Sequence, residues 1–273
     1  MLYDCFQFFN ELDILEIRLE ELYSVVDKFV ICEATKTFSG KPKELRFLNN
    51  KERYSKYLDK IKYVVYDDFS SYNNPWQYSD NWRSECEQRR HLISGINLSH
   101  LSDNDMVMLS DVDEIPTRNL MQKLKIDFYK NRVNYDQPLT ICSQLYYGKI
   151  TNKVIEPDEF LNWRGNVIIN GKLLKEIPDF QYFRHYKDTF RNIRDTGSWH
   201  FSYAGTAEQV IYKIQSYSHS ENDIPDIIDN VKENIENCKD VLNRSDYKLE
   251  KVQIDETYPE AIKNNPEKYK DII

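Results

Sequence analysis

Glycine is scarce, with seven in 273 residues. Neither G-x-G-x-x-G nor G-x-x-x-x-G-K-[ST] occurs in the chain. Dinucleotide-binding and P-loop readings therefore have no support. Any phosphate must be held by metal and arginine rather than by a glycine loop. Cysteine is also sparse: Cys5, Cys32, Cys86, Cys142 and Cys238 are odd in number, far apart and free of any C-x-x-C pair. That pattern argues against a disulfide framework and a zinc ribbon, and fits reduced, mostly buried thiols in a cytoplasmic protein. No apolar run reaches the roughly 18 residues of a membrane span. Met1 leads straight into strand-like Leu2–Phe6, so no signal peptide is expected. Positive charge is not in excess either. The formal net charge of -8 excludes a general nucleic-acid binder, which needs a basic face.

What is present is an ordinary globular balance, 40% hydrophobic and 30% charged, that can bury a sizeable core. Aromatics reach 14%, with 20 tyrosines, a composition suited to stacking on sugars or bases. The stretch Met106–Pro116 organises the chain. Its apolar run, Met106 to Leu109, ends in Ser110-Asp111-Val112-Asp113-Glu114 and then Pro116. A short apolar run closed by turn chemistry predicts a buried central strand of an α/β sheet. Its carboxylates then sit at the carboxyl end of the strand, where open α/β sheets bind ligands. Asp111, Asp113 and Glu114 repel one another unless something positive joins them. A hard divalent cation, Mn²⁺ or Mg²⁺, is the natural partner.

Before this stretch, helix and strand signals alternate. Asn10 precedes Leu12, Leu15, Leu19 and Leu22 at helical spacing. Strands are expected at 25–32 and 63–66, ending in Glu33 and in Asp67-Asp68, with a strand or extended loop over 44–47. Helices are expected at 51–58 and 82–93, the latter bearing Arg89 and Arg90. This alternation predicts a parallel, Rossmann-like sheet. After Pro116 a helix runs to about 130. Strands at 139–147 and 166–169 then suggest an antiparallel extension. Thr206-Ala207-Glu208-Gln209 is a capping box opening a helix, and another helix is expected over 224–241.

Several stretches resemble glycosyltransferase family 17, the group that includes the β-1,4-mannosyl-glycoprotein 4-β-N-acetylglucosaminyltransferases. They are 4–13 (DCFQFFNELD), 30–35 (VICEAT) with 37–42 (TFSGKP), 110–116 (SDVDEIP), 199–203 (WHFSY) and 218–221 (SHSE), in the family's order. The resemblance implies a single domain of GT-A type over 1–273: an α/β mixed sheet flanked by helices, with D-x-D at a central strand end. The nucleotide-binding half would span about 1–116, the acceptor and catalytic half about 117–240, and a surface-wrapping tail about 241–273. It further implies a UDP-sugar donor, a divalent metal, a glycan acceptor and inversion at the anomeric carbon. The membrane anchor and stem of the animal Golgi enzymes are lacking, so a soluble cytoplasmic enzyme of bacterial or viral type is expected.

By the same resemblance, Asp113 would bind the metal and Asp111 would approach the ribose or a metal-bound water. A late histidine, His219 or else His200, would join the metal. Glu33 and Asp67 or Asp68 would accept hydrogen bonds from uracil or ribose. Arg89 or Arg90 would pair with the diphosphate. The general base would be Glu208 at the capped helix start, with Asp195 and Glu221 as rivals. Trp199, Tyr203 and Trp76 would form a stacking wall for the acceptor. Two other readings use the same acidic edge. One is a dehalogenase-type phosphatase with Asp111 as nucleophile, and the other is a non-catalytic sugar- or calcium-binding protein.

Overall fold

The computed structural model describes residues 1–69, 80–130, 136–157, 163–193 and 198–273. Its strands are β1 (Leu2–Phe8), β2 (Lys28–Ala34), β3 (Ile61–Tyr66), β4 (Met106–Asp111), β5 (Glu114–Ile115) and β6 (Leu139–Tyr147). They continue with β7 (Asn152–Glu156), β8 (Trp163–Asn170), β9 (Arg191–Ile193), β10 (Trp199–Ser202) and β11 (Lys248–Lys251). The main sheet runs β11-β7-β6-β8-β4-β1-β2-β3. Strands β3, β2, β1 and β4 are parallel. From β4 onward β8, β6, β7 and β11 alternate in direction.

Strand β4 is buried on both faces, which explains its unbroken apolar run. Met106 and Met108 join Phe6, Leu15, Leu19 and Ile31 on one side. Val107 and Leu109 join Cys5, Val30 and Ile169 on the other. The helix Leu12–Leu22 feeds Leu15, Leu19 and Leu22 to the first layer, as its spacing predicts. The tail does more than wrap. Tyr258, Ile262, Tyr269 and Ile272 are buried against Ile14 and Ile17 of that helix.

Order along the parallel part is β3-β2-β1-β4, so the connections diverge between β1 and β4. This is the topological switch point, where open sheets of this kind form their ligand crevice. In the register, Gln7 pairs with Asp111 and Phe8 with Glu33, which aligns three strand ends on one edge.

Two expectations about elements change. Residues 46–49 are helical, not extended, because the buried Glu33 carboxylate accepts the backbone N–H of Arg46 at 2.6 Å and of Phe47 at 3.0 Å. The span 224–241 is two short helices, Pro225–Ile228 and Val231–Glu236, rather than one. The cysteines follow their expectation: none of the five is in a disulfide, and four of them are buried. The capping box forms: Gln209 N–H donates to Thr206 Oγ1 and Thr206 N–H to Gln209 Oε1. No helix among the described residues is long and apolar enough to cross a membrane.

Candidate active site

A cleft of about 900 Å³ opens at the switch point. Residues 7–9 at the end of β1 and residues 111–113 at the end of β4 line it. Glu85 and Arg89 reach it from the helix Asp80–His91, Arg184 from the helix Phe180–His185, and His200 from β10. Lys213 reaches it from the helix Ala207–Ile214.

The acid turn is clasped from both sides. Beneath it lies Arg18, wholly buried, which donates to the carbonyls of Asp111 (3.1 Å), Val112 (3.3 Å) and Glu114 (2.8 Å). The same guanidinium forks onto Asp4 at 2.6 and 2.9 Å. Above it, Glu114 points inward rather than into the cleft. Its carboxylate accepts Asp111 N–H (2.8 Å), Trp163 Nε1 (2.6 Å) and both terminal nitrogens of Arg184 (3.0 and 2.9 Å). Burial pushes the Glu114 carboxyl up, but Arg184 and His200 outweigh it and hold the group below the usual carboxylate range. Gly165 makes room for this, because a Cβ there would lie 2.3 Å from Glu114 Cδ.

Arg184 Nη2 continues to Asp111 Oδ2 at 2.7 Å, and Arg89 Nη2 meets Asp111 Oδ1 at 3.3 Å. Lys213 bridges Glu11 (2.7 Å) and Asp113 (3.2 Å), and His200 Nε2 stands 3.5 Å from Asp113 Oδ1. For Asp113 too, burial raises the pKa while Lys213 and His200 lower it further, to about 2. Both aspartates are thus ion-paired within the chain. The mutual repulsion that pointed to a metal in the sequence is largely met by Arg89, Arg184 and Lys213.

The same donor atoms would suit a divalent ion only in part. A carboxylate offers about four lone-pair sites, and Asp111 and Asp113 each use about half. Asp111 keeps 35% of its side chain open, and His200 Nε2 is the ring nitrogen that faces Asp113. Carboxylate oxygens with an imidazole nitrogen suit Mn²⁺, and oxygen donors suit Mg²⁺. No three His, Cys, Asp or Glu side chains converge on one point among the described residues. Phosphate oxygens of a substrate would have to complete the shell.

Of the residues singled out in the sequence, the structure brings together Asp111, Asp113, Arg89, His219, Glu221 and Tyr203, all in the cleft wall. The histidine beside Asp113 is His200. His219 instead bonds Glu221 at 2.7 Å, with Trp82 edge-on to its ring. Six of the chosen residues are displaced. Glu33 is fully buried and saturated by Lys43, Tyr63 and the two backbone N–H groups already named, so it has no capacity for a nucleotide. Asp67 and Asp68 are exposed beyond β3 and do not line the cleft. Arg90 turns away to Asp179 and Glu87. Trp199 is core, stacked on Phe201. Glu208 projects to solvent from the first turn of its helix, outside the cleft. Asp195 and Trp76 lie outside the described residues.

Arg18, Trp163, Arg184 and Lys213 are the site residues that sequence reasoning missed. Glu114 was read as part of the acidic cluster, but it turns inward to Trp163 and Arg184.

Residues 1–243 match the model of glycosyltransferase family 17. The β-1,4-mannosyl-glycoprotein 4-β-N-acetylglucosaminyltransferases of Homo sapiens and Rattus norvegicus are each 34% identical over 123 residues. That match covers 43% of this chain but only 22% of theirs. Among solved structures, a Francisella tularensis 2-C-methyl-D-erythritol 4-phosphate cytidylyltransferase is 12% identical, with TM-score 0.35, over 69% of this chain and 80% of that one. Mouse xyloside xylosyltransferase 1 is 11% identical, with TM-score 0.32, over 70% and 76%.

Proposed function

Because the chain belongs to glycosyltransferase family 17, we propose that it transfers N-acetylglucosamine from a UDP-sugar to a glycan acceptor, with inversion and with Mn²⁺ or Mg²⁺ bound. The observation that carries this reading is the meeting, at one switch-point cleft, of Asp111 and Asp113 with Arg89, Arg184 and His200 and with a wall of tyrosines. The names of the matched relatives make a β-mannosyl glycan the first acceptor to try.

Asp111 and Asp113 would hold the metal together with the donor diphosphate, and His200 offers the nearest imidazole nitrogen. When bound, the ion neutralises charge developing on the departing nucleoside diphosphate. Arg184 and Arg89 bind and orient that diphosphate, since a guanidinium fork matches its oxygens. Lys213, shared between Glu11 and Asp113, fixes the Asp113 carboxylate. Calorimetry with UDP tests this arrangement. Binding is expected in Mn²⁺ and is expected to disappear with EDTA; equal affinity in both buffers removes the metal from the scheme.

Glu221 accepts the proton of the acceptor hydroxyl. Of the two described carboxylates weighed for this role, Glu221 lines the cleft and Glu208 does not. Its hydrogen bond to His219 lowers its pKa and keeps it ionised at neutral pH. General-base catalysis contributes roughly 10²–10⁴-fold. Glu221→Gln is expected to cut transfer by about that factor at unchanged UDP affinity, while Glu208→Gln stays within about twofold of wild type. The reverse ranking in a UDP-release assay would return the base to the capped helix.

A further inference from the structure

None of the carboxylates expected to meet a nucleobase is placed to do so: Glu33 is saturated, and Asp67 and Asp68 lie off the cleft. A different side chain stands at that end. Gln88 projects from the helix Asp80–His91 over the carboxyl ends of β1 and β2, and it is only 3% exposed. Its Nε2 donates to the Cys32 carbonyl at 2.8 Å and lies 3.5 Å from that of Phe8. Both neighbours are acceptors, so the amide nitrogen faces the sheet and the amide oxygen faces away. That oxygen has no hydrogen bond among the described residues, and it is not a sealed atom, because Gln88 lines the cleft. The next residue, Arg89, turns instead to Asp111 at 3.3 Å. In the order β4-β1-β2, the Gln88 amide therefore stands one to two strand spacings from the acidic turn, roughly 5–10 Å. A nucleoside spans such a gap. Phe38 lines the same cleft from the turn after β2. That turn is pinned, since Lys41 N–H donates to Thr37 Oγ1 at 3.0 Å and Ser39 Oγ to the Gln215 carbonyl at 3.2 Å.

We propose that Gln88 reads the nucleobase of the donor: its Oε1 accepts a ring N–H, which selects uracil over cytosine. The inference rests on the glycosyl-transfer reading above. Uracil carries a hydrogen on N3, and cytosine carries a lone pair there. Facing Gln88 Oε1, the first makes a hydrogen bond and the second sets two acceptors against each other. Rotating the amide does not rescue cytosine, because Oε1 would then meet the Cys32 carbonyl and Nε2 would lose it. Phe38 supplies a flat apolar surface for the base. Stacking of that kind adds affinity for any base and leaves the choice to the hydrogen bond. Gln7 is held in a similar way, with Nε2 on the Glu85 carbonyl at 2.9 Å. It pairs with Asp111 in the sheet register, at the diphosphate end, which leaves the base to Gln88.

Calorimetry in Mn²⁺ with UDP, CDP and pyrophosphate tests the assignment. Wild-type protein is expected to bind UDP roughly tenfold to a hundredfold more tightly than CDP, the scale of one buried hydrogen bond replaced by an unpaired acceptor. CDP has nearly the size and shape of UDP, so this comparison reads hydrogen bonding rather than fit, and it needs no variant. Gln88→Met is expected to weaken UDP about tenfold, to bring UDP and CDP within about twofold of each other, and to leave pyrophosphate binding unchanged. Equal affinity for UDP and CDP in wild type, a preference for CDP, or a folded Gln88→Met protein that keeps the preference for UDP each overturns the assignment. So does a parallel loss of pyrophosphate binding in Gln88→Met, which would make Gln88 a general support of the site. Each of those results leaves the glycosyl-transfer reading standing. Wild-type protein that binds none of the three ligands overturns both.

Discussion

Arg18→Met is expected to cost about 3–5 kcal/mol of folding stability, the usual penalty for stripping one partner from a buried ion pair. Natural domains hold only roughly 5–15 kcal/mol in total, so the variant should sit near its unfolding threshold at moderate temperature. The reason lies in what the side chain leaves behind. Methionine fills much of the volume over Phe6, where the guanidinium now stands 4.4 Å from the ring centroid. It supplies no donor to Asp4, which has no exposure. Burial already raises the Asp4 pKa, and Arg18 is the charge that opposes this. The carbonyls of Asp111, Val112 and Glu114 and the Ser110 hydroxyl lose the same partner. Urea unfolding measures the loss. Adding Asp4→Asn to Arg18→Met should recover more than about 1 kcal/mol, because the orphaned charge is then gone. A single-variant loss below about 1 kcal/mol would show that the clasp is not what holds the turn.

That clasp also shows how far the sequence could be read. Strand β4 and its acidic end were legible because their signal is local: an apolar run, two aspartates and a proline. The helix Leu12–Leu22 was legible by its leucine period, and the same period hid Arg18, since a charged residue inside an apolar pattern reads as a surface residue. Arg184 and Lys213 lie 73 and 100 residues from the aspartates they contact, in segments whose patterns carry no sign of it. Glu33 and Glu208 failed in opposite directions for one reason. A carboxylate at a strand end and one at a helix start look alike in sequence. Tertiary structure buries the first as a cap for residues 46 and 47 and leaves the second in solvent. The phosphatase reading needed a free, nucleophilic Asp111; Arg89 and Arg184 each occupy one of its oxygens, and the family match lies elsewhere.

Asp113→Asn is expected to remove transfer by roughly 10²–10³-fold or more, the scale on which lost charge stabilisation is felt in active sites, while the fold survives. Asparagine is nearly isosteric with aspartate, so the packing of this buried side chain is kept. Only the charge goes. Lys213 retains Glu11 at 2.7 Å, so no cation is stranded by the change. Thermal unfolding should therefore move by a few degrees at most. The informative control is Lys213→Met. If Asp113 acts only by fixing Lys213 and His200, the two substitutions should lower kcat equally and leave Mn²⁺-dependent UDP binding intact in both. If Asp113 is itself a donor-site ligand, Asp113→Asn should lose the Mn²⁺ dependence of UDP binding by calorimetry, and Lys213→Met should keep it with a smaller drop in rate. Full turnover in folded Asp113→Asn protein would take Asp113 out of the site, leaving Asp111 with Arg89 and Arg184 as the donor-binding core.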